Sequence, residues 1–327
     1  MIVFKRIVFA LGLILTLAAD FSAQKKGGEV VVPKAYKPPV IESSAALQNI
    51  LSTAVSEVVS AKSFKREELA ATLIDLRDPA KFQMADVRGQ SRIYPASVVK
   101  LFYLAALERQ LEDGKVTMTP ELTRGVRDMI VDSSNEATQY ILDVITETSS
   151  GAELPQKQFD VWQIKRNRVN RYFASMGYTN INVNQKTFCE DAYGIEQQSR
   201  NYKAENRNAL TTNAVARLLA EIVTGKIATP ERTAAMMTLL KRDPFSKSGG
   251  DDDQAHDFTG RMLIARKMTD AKLWSKAGWT SKARHDAAYI ETADGLKFVL
   301  VVFTENHANE KEAIPMIAGK ILDGLRK

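Results

Sequence analysis

Behind the two candidate N-caps Ser43 and Ser44, apolar residues recur every three or four positions: Leu47, Ile50, Leu51, Ala54, Val55 and Val58. That period places them on one stripe and predicts an amphipathic helix. The pattern then changes to short apolar runs. "LAATLIDL" (69–76) and "KFQMADV" (81–87) predict two strands joined by a turn through Asp78–Pro79. From Ser97 to about residue 245 the helical period returns, over 97–113, 120–131, 134–147, 156–176, 211–225 and 230–241. It is interrupted at 177–210 by an irregular stretch of a length usually kept for function or disorder. "SKSGGDDDQ" (246–254) reads as a polar linker. Beyond it, "LWSKAGW", "HDAAYIET" and "LKFVLVVFT" predict three more strands, with Gly295 in the last turn. A closing helix carries Ile314, Ile317, Ala318, Ile321 and Leu325 on one face.

Strands split by a helical block imply an α/β fold of the α+β type. One antiparallel sheet is assembled from both ends of the domain, the N- and C-terminal helices cover one face, and a large all-helical insertion covers the other. The domain is expected over 43–327, with 43–96 and 255–327 as its α/β part and 97–254 as its helical part. The Pro-, Lys- and Gly-rich stretch 24–42 reads as an extended tether. Residues 1–23 read as a signal peptide: Lys5 and Arg6, an apolar run from Ile7 to Ala19, then the small residues Ser22 and Ala23. The expectation is export, to the periplasm or medium, with an uncleaved N-terminal anchor as the alternative.

Charge and cysteine content narrow the picture. The net charge of +6 is not gathered into a basic cluster interleaved with aromatics, so nucleic-acid binding is not expected. The one basic run, "KRNRVNR" (165–171), reads as the solvated face of a helix containing Val161, Ile164, Val169 and Phe173. Cys189 is the only cysteine, so no intrachain disulfide can form, and it reads as a small buried residue. His256, His285 and His307 are scattered without a zinc-binding spacing, so no metal or organic cofactor is expected. The chain is expected to be a monomer.

Two polar residues break the apolar pattern of "YPASVVKLFYLAALERQ" (94–110). Ser97 and Lys100 lie one turn apart on the same side of a helix start. A serine in a first turn sits among unpaired N–H groups at the positive end of the helix dipole. A lysine in apolar surroundings loses its charge more readily and can accept the serine's proton. The same tetrapeptide pattern also fits a capping serine and a snorkelling lysine, and Ser22 to Lys25 repeats it without meaning. Downstream, "MIVDSSNEATQYIL" carries Ser133 and Asn135 at another helix start. "LWSKAGWTS" places Lys276 on a strand with Gly278 two residues on, where a substrate backbone could approach.

In this order and setting, S-x-x-K, S-x-N and K-x-G resemble the penicillin-recognising serine enzymes, most closely the class A β-lactamase-like family. The resemblance spans roughly residues 43–327 and includes "RNALTTNAVARLLAEIVTG", similar to the helix after that family's omega loop. It implies a serine hydrolase working through an acyl-enzyme. Ser97 would be the nucleophile and Lys100 its proton acceptor, while Ser133 would relay a proton to the leaving nitrogen beside Lys276. Asn135 would bind the substrate's side-chain amide. The N–H groups of Ser97 and Trp279, the latter following Gly278, would form the oxyanion hole.

Three departures stand out. Ala277 replaces the family's Thr or Ser, with Thr280, Ser281 or Arg284 as candidate substitutes for the lost hydroxyl. Ser134 replaces the usual Asp, and the segment between Lys100 and Ser133 is short. The family's E-x-x-L-N is also missing, which leaves Glu196 or Glu190 as the candidate base for deacylation. The functions implied are a β-lactamase first and a penicillin-binding D,D-peptidase acting on peptidoglycan stem peptides second. An esterase or amidase of the same fold is a third, and a non-catalytic β-lactam-sensing module stands outside the enzymes. A Ser-His-Asp hydrolase using His285 or Asp286 is the remaining alternative, without the G-x-S-x-G turn such enzymes use.

Overall fold

The structure, a computed structural model, describes residues 29–203, 206–247 and 249–327. The expected signal segment 1–23 lies outside the described residues. The strands are β1 (Ile41–Ser43), β2 (Leu69–Asp75), β3 (Phe82–Val87), β4 (Lys241–Arg242), β5 (Lys272–Trp279), β6 (Ala283–Glu291) and β7 (Lys297–Glu305). They form one sheet in the order β1-β3-β2-β7-β6-β5-β4. All pairs are antiparallel except β1 with β3. β2 from the start of the chain pairs with β7 from its end, Leu69 opposite Thr304 through Asp75 opposite Phe298.

The period of two sorts the side chains of β2. Leu69, Ala71 and Leu73 face a core built with α1 (Ala45–Ala61) and α11 (Ala313–Leu325). Ala70 and Ile74 face the helical layer. That layer consists of α2 (Lys100–Glu112), α3 (Pro120–Ile130), α4 (Asn135–Thr146), α5 (Gln156–Arg166), α6 (Arg168–Ser175), α7 (Ile195–Arg200), α8 (Thr212–Val223) and α9 (Pro230–Leu240). The helix α10 (Thr259–Ala265) belongs to the first core through Met262 and Leu263. From Lys100 to Leu111 every residue of α2 is buried, which makes it the central post of the helical layer.

Four expectations need correction. The single helix expected over 156–176 is two, because Asn167 leaves helical geometry (φ −81°, ψ 8°) and its side-chain oxygen accepts from Asn170 and Asn184. The break re-aims the stripe: α5 buries Phe159, Trp162 and Arg166, while Val161 and Ile164 are 58% and 63% exposed. The "KRNRVNR" run is therefore not a solvated face, since Arg166 and Arg168 are buried. The described part of the supposed tether lies on the body, with Val30 buried and Tyr36 donating to Glu221 Oε1 at 2.9 Å. Cys189 is exposed, because its loop places it on the wall of an open cavity and not against the core.

Candidate active site

Pro95 and Ala96 carry the chain out of an extended stretch into a 3₁₀ turn, Ala96–Val99, which runs directly into α2. Ala96 has φ of +46°, a left-handed conformation that a non-glycine residue adopts at a cost of about 1–3 kcal/mol. The turn brings Ser97 to the surface, half-buried, while Lys100 one turn later is fully buried. Burial pulls the Lys100 amine down to about 7, against a smaller opposing pull from the Glu136 carboxylate.

The amine donates to Ser133 O, to Asn135 Oδ1 at 3.0 Å and, at 3.4 Å, to Ser133 Oγ. Ser133 is itself left-handed (φ +58°), and Ser134 caps α4 by accepting from Ala137 N at 3.1 Å. Capping of α4 falls to Ser134, which leaves the Ser133 hydroxyl to the site.

From the opposite wall, Lys276 on β5 donates to Ser133 Oγ at 2.8 Å and to Ala277 O at 2.8 Å. Its amine lies well below the ordinary lysine range because of burial, reinforced by the nearby charges of Lys100 and Arg242. Two amines therefore converge on one hydroxyl, beside Ser97. Ser97 Oγ itself makes no hydrogen bond among the described residues.

Gly278 explains how the strand and the Ser97 turn meet. A Cβ there would lie 2.8 Å from Ser97 N and 2.9 Å from Pro95 O, so only glycine fits. Successive N–H groups of a strand point to opposite edges. Thr280 N donates toward β6 (2.9 Å to Ala283 O), whereas Ala277 N donates the other way, to Gln254 Oε1 at 3.1 Å. The N–H of Trp279 therefore points to the open edge of β5, the edge that receives the Ser97 backbone. Ser97 N makes no backbone hydrogen bond among the described residues. Two N–H groups are thus available at the junction.

The residue that sequence reasoning missed is Gln254, placed in a "polar linker". It is buried, and its whole amide is used. Oε1 accepts from Lys276 Nζ at 2.7 Å and from Ala277 N, while Nε2 donates to Ile130 O at 3.2 Å and Val131 O at 2.8 Å. One side chain thereby ties β5 to the segment leading into Ser133. No local signal marks it, since glutamine in an Asp-rich run reads as surface.

Several candidates lie elsewhere. Glu196 is buried in a separate ionic cluster. It makes a two-pronged pair with Arg166 (2.6 and 2.8 Å), accepts from Ser150 Oγ at 2.9 Å and lies 3.3 Å from Lys186 Nζ. Burial alone would raise its carboxyl, but Arg166 and Lys186 outweigh that and hold it below the usual range. Glu190 is exposed on the cleft wall. The group that meets Asn135 from the long loop is instead the Cys189 thiol, whose Sγ accepts from Asn135 Nδ2 at 3.4 Å. Among the described residues no carboxylate hydrogen-bonds to Lys100, Ser133, Asn135 or Lys276.

Arg284 does not replace the hydroxyl absent at Ala277. Its guanidinium donates to Asp252 (2.7 Å) and Asp257 O (2.8 Å) and stacks on Phe258 at 4.1 Å. Thr280 Oγ1 accepts from Lys282 N and Ala283 N, closing the β5–β6 turn, and Ser281 is exposed on the cleft. His285 is buried, with Nε2 donating to Tyr94 O at 2.9 Å and Nδ1 accepting from Thr304 N at 3.1 Å. Burial lowers it to about 4, so it stays neutral and braces the chain before Ser97. Asp286 is buried against Thr259 N at 3.1 Å. Neither can serve a Ser-His-Asp triad.

The profile of the Beta-lactamase enzyme family matches residues 50–323. Among curated proteins, none matches the sequence. Among solved structures, a β-lactamase from Sphaerobacter thermophilus superimposes with a TM-score of 0.60 at 19% identity, over 85% of this chain and 95% of that one. PBP-A does so with a TM-score of 0.59 at 17% identity, over 89% and 99%. A point mutant of PBP-A, solved as its acyl-enzyme complex with penicillin G, gives 0.58 at 18%, again over 89% and 99%. At these identities the likeness is one of fold.

Proposed function

The chain belongs to the β-lactamase enzyme family, and we propose that it is an exported serine hydrolase that opens β-lactam or peptide amides through an acyl-enzyme on Ser97. The observation that carries this reading is the convergence of Lys100 and Lys276 on Ser133 Oγ, next to a serine whose own N–H is unused. Ser97 Oγ attacks the carbonyl carbon and gives its proton to neutral Lys100, directly or through a water. The N–H groups of Ser97 and Trp279 take the developing oxyanion. Ser133 passes its proton to the departing nitrogen and takes up in its place the proton held by Lys100, whose amine lies 3.4 Å from its Oγ, while Lys276 stabilises the charge on that oxygen. Water then cleaves the ester. Asn135 holds the substrate's amide. Export rests on the pattern of residues 1–23.

The last step separates a fast β-lactamase from a slow penicillin-binding peptidase. The position facing Asn135 is a thiol, and Glu196 is neutralised by two cations. Both favour slow deacylation of β-lactams, with peptidoglycan stem peptides as the turned-over substrate. The β-lactamase reading has one observation in its favour, the exposed carboxylate of Glu190 on the cleft wall beside Cys189.

Intact mass followed after mixing with benzylpenicillin tests both. A penicilloyl adduct that persists for minutes or longer, absent in Ser97→Ala, is the expected result. Cys189→Glu should shorten its lifetime by about tenfold or more, by placing a base beside Asn135. A transient adduct with rapid loss of penicillin would make the enzyme a β-lactamase. No adduct and no consumption would overturn the acyl-enzyme reading for β-lactams.

A further inference from the structure

A cavity of about 750 Å³ opens where the reaction centre ends. One wall carries Cys189, the partner of Asn135, and the opposite wall is the turn Thr280–Ala283 that follows Trp279. Its floor is pinned by an antiparallel bridge in which Ile93 and Leu210 exchange both backbone hydrogen bonds at 2.9 Å. That bridge holds Arg92 and Arg207 on adjacent segments, both exposed to the cavity. The Arg207 guanidinium lies 5.5 Å from the Tyr94 ring and meets no carboxylate among the described residues; Arg92 and Lys282 make no ion pair among them either.

Two further cations line the space but are engaged, Arg200 with Asp191 and Lys186 with Asp143 and Glu196. Against these five stand two lining carboxylates, Glu190 and Glu305. Uncommitted guanidinium groups over a cavity of this size are suited to carboxylate recognition.

We propose that this cavity is an anion-selective acyl subsite: the substrate's acyl portion, beyond the amide held by Asn135, carries a carboxylate that Arg92, Arg207 and Lys282 receive. This rests on the acyl-enzyme reading and adds the substrate class. An acyl donor ending in a free carboxylate, such as a peptide with an acidic side chain, is preferred over its neutral isostere.

The test uses two probes, 6-aminopenicillanic acid acylated with adipic acid and the same compound with a terminal carboxamide. Acylation rates of the full chain are compared at low and high salt. The carboxylate form should acylate about tenfold faster at low ionic strength, with the advantage shrinking as salt screens it. In the Arg92→Gln/Arg207→Gln double variant the ratio should fall toward one, and in Lys282→Gln it should fall part of the way. In Arg326→Gln, which removes one charge at the C-cap of α11 as Lys282→Gln removes one at the cavity, the ratio should stand.

Equal rates for the two probes, or a ratio that survives the double variant, would overturn the proposal. Both arginines are exposed, and a thermal melt confirms that the double variant is folded. If neither probe acylates the wild type, the acyl-enzyme reading fails. Calorimetric binding of the same pair to Ser97→Ala then decides the subsite: a carboxylate preference supports it, and its absence overturns it.

Discussion

The amine of Lys100 sits in a fully buried position with only hydroxyl, carbonyl and amide oxygens as hydrogen-bond partners. Its pKa of about 7 means that near neutrality a sizeable fraction is uncharged and able to take a proton. Acylation of Ser97 should therefore rise about tenfold per pH unit below 7 and level off above it, read from adduct formation rates between pH 5 and 9. A rising limb centred above 9 would remove Lys100 as the acceptor. The same burial has a stability sign. The folded chain releases this proton near 7 and the unfolded chain near the ordinary lysine value, so the unfolded state holds more protons between the two. Stability contributed by this group is lowest below about 7 and recovers as pH rises toward 10. Lys100→Met should abolish acylation, raise Tm by a few degrees at pH 6 and flatten that dependence.

At the scale of elements, the site is a junction of three pieces: the turn before α2, the turn before α4, and the open edge of β5. Gly278 sets the distance between the first and third, and Gln254 the distance between the second and third. Gln254→Leu takes the acceptor from Ala277 N, the donor from Val131 O and one of three acceptors from Lys276 Nζ, all in a buried space. The expected outcome is a fall in acylation rate of about tenfold or more, a stability loss of about 2 kcal/mol by urea unfolding, and little change in the pH at half-maximal rate. An acylation rate equal to wild type would mean that the strand and the Ser133 turn are held in place without it. The stripe Phe159, Trp162 and Arg166 on α5 works on the same scale, because it carries Arg166 inward to meet Glu196.

Across the whole molecule, the sheet is closed by strands from both chain ends, and the helical layer hangs between β3 and β4. The long loop over 177–210 is held to that layer by polar contacts. Asn182, Asn184, Asn206 and Asn208 bond to one another or to neighbouring side chains, and the Arg166–Glu196–Lys186 cluster lies beneath. This loop carries Cys189 to Asn135 and forms one wall of the basic cavity, so its anchoring decides the shape of the cleft. Arg166→Met removes the two-pronged partner of a buried carboxylate. It should cost about 3 kcal/mol in urea unfolding and raise susceptibility to proteolysis within 177–210. A variant as stable as wild type, with intact loop protection, would reduce the cluster to a passive pair.

The sequence by itself determined the architecture and the candidate reacting groups. Period-two and helical stripes are local, so the split sheet, the flanking helices and the insertion could be read along the chain, and so could Ser97, Lys100, Ser133, Asn135, Lys276 and Gly278 as polar or small residues out of place. What only the tertiary structure decided depends on contacts between distant segments. It sent Glu196 to Arg166 and Lys186, Arg284 to Asp252, and His285 to Tyr94, because a buried charge or ring nitrogen must find its partner wherever the fold brings one. It put Gln254 between two site elements and Cys189 against Asn135, pairings more than 20 residues apart that no spacing encodes. It also set the left-handed turns at Ala96 and Ser133, where packing from both sides outweighs the local preference of the chain.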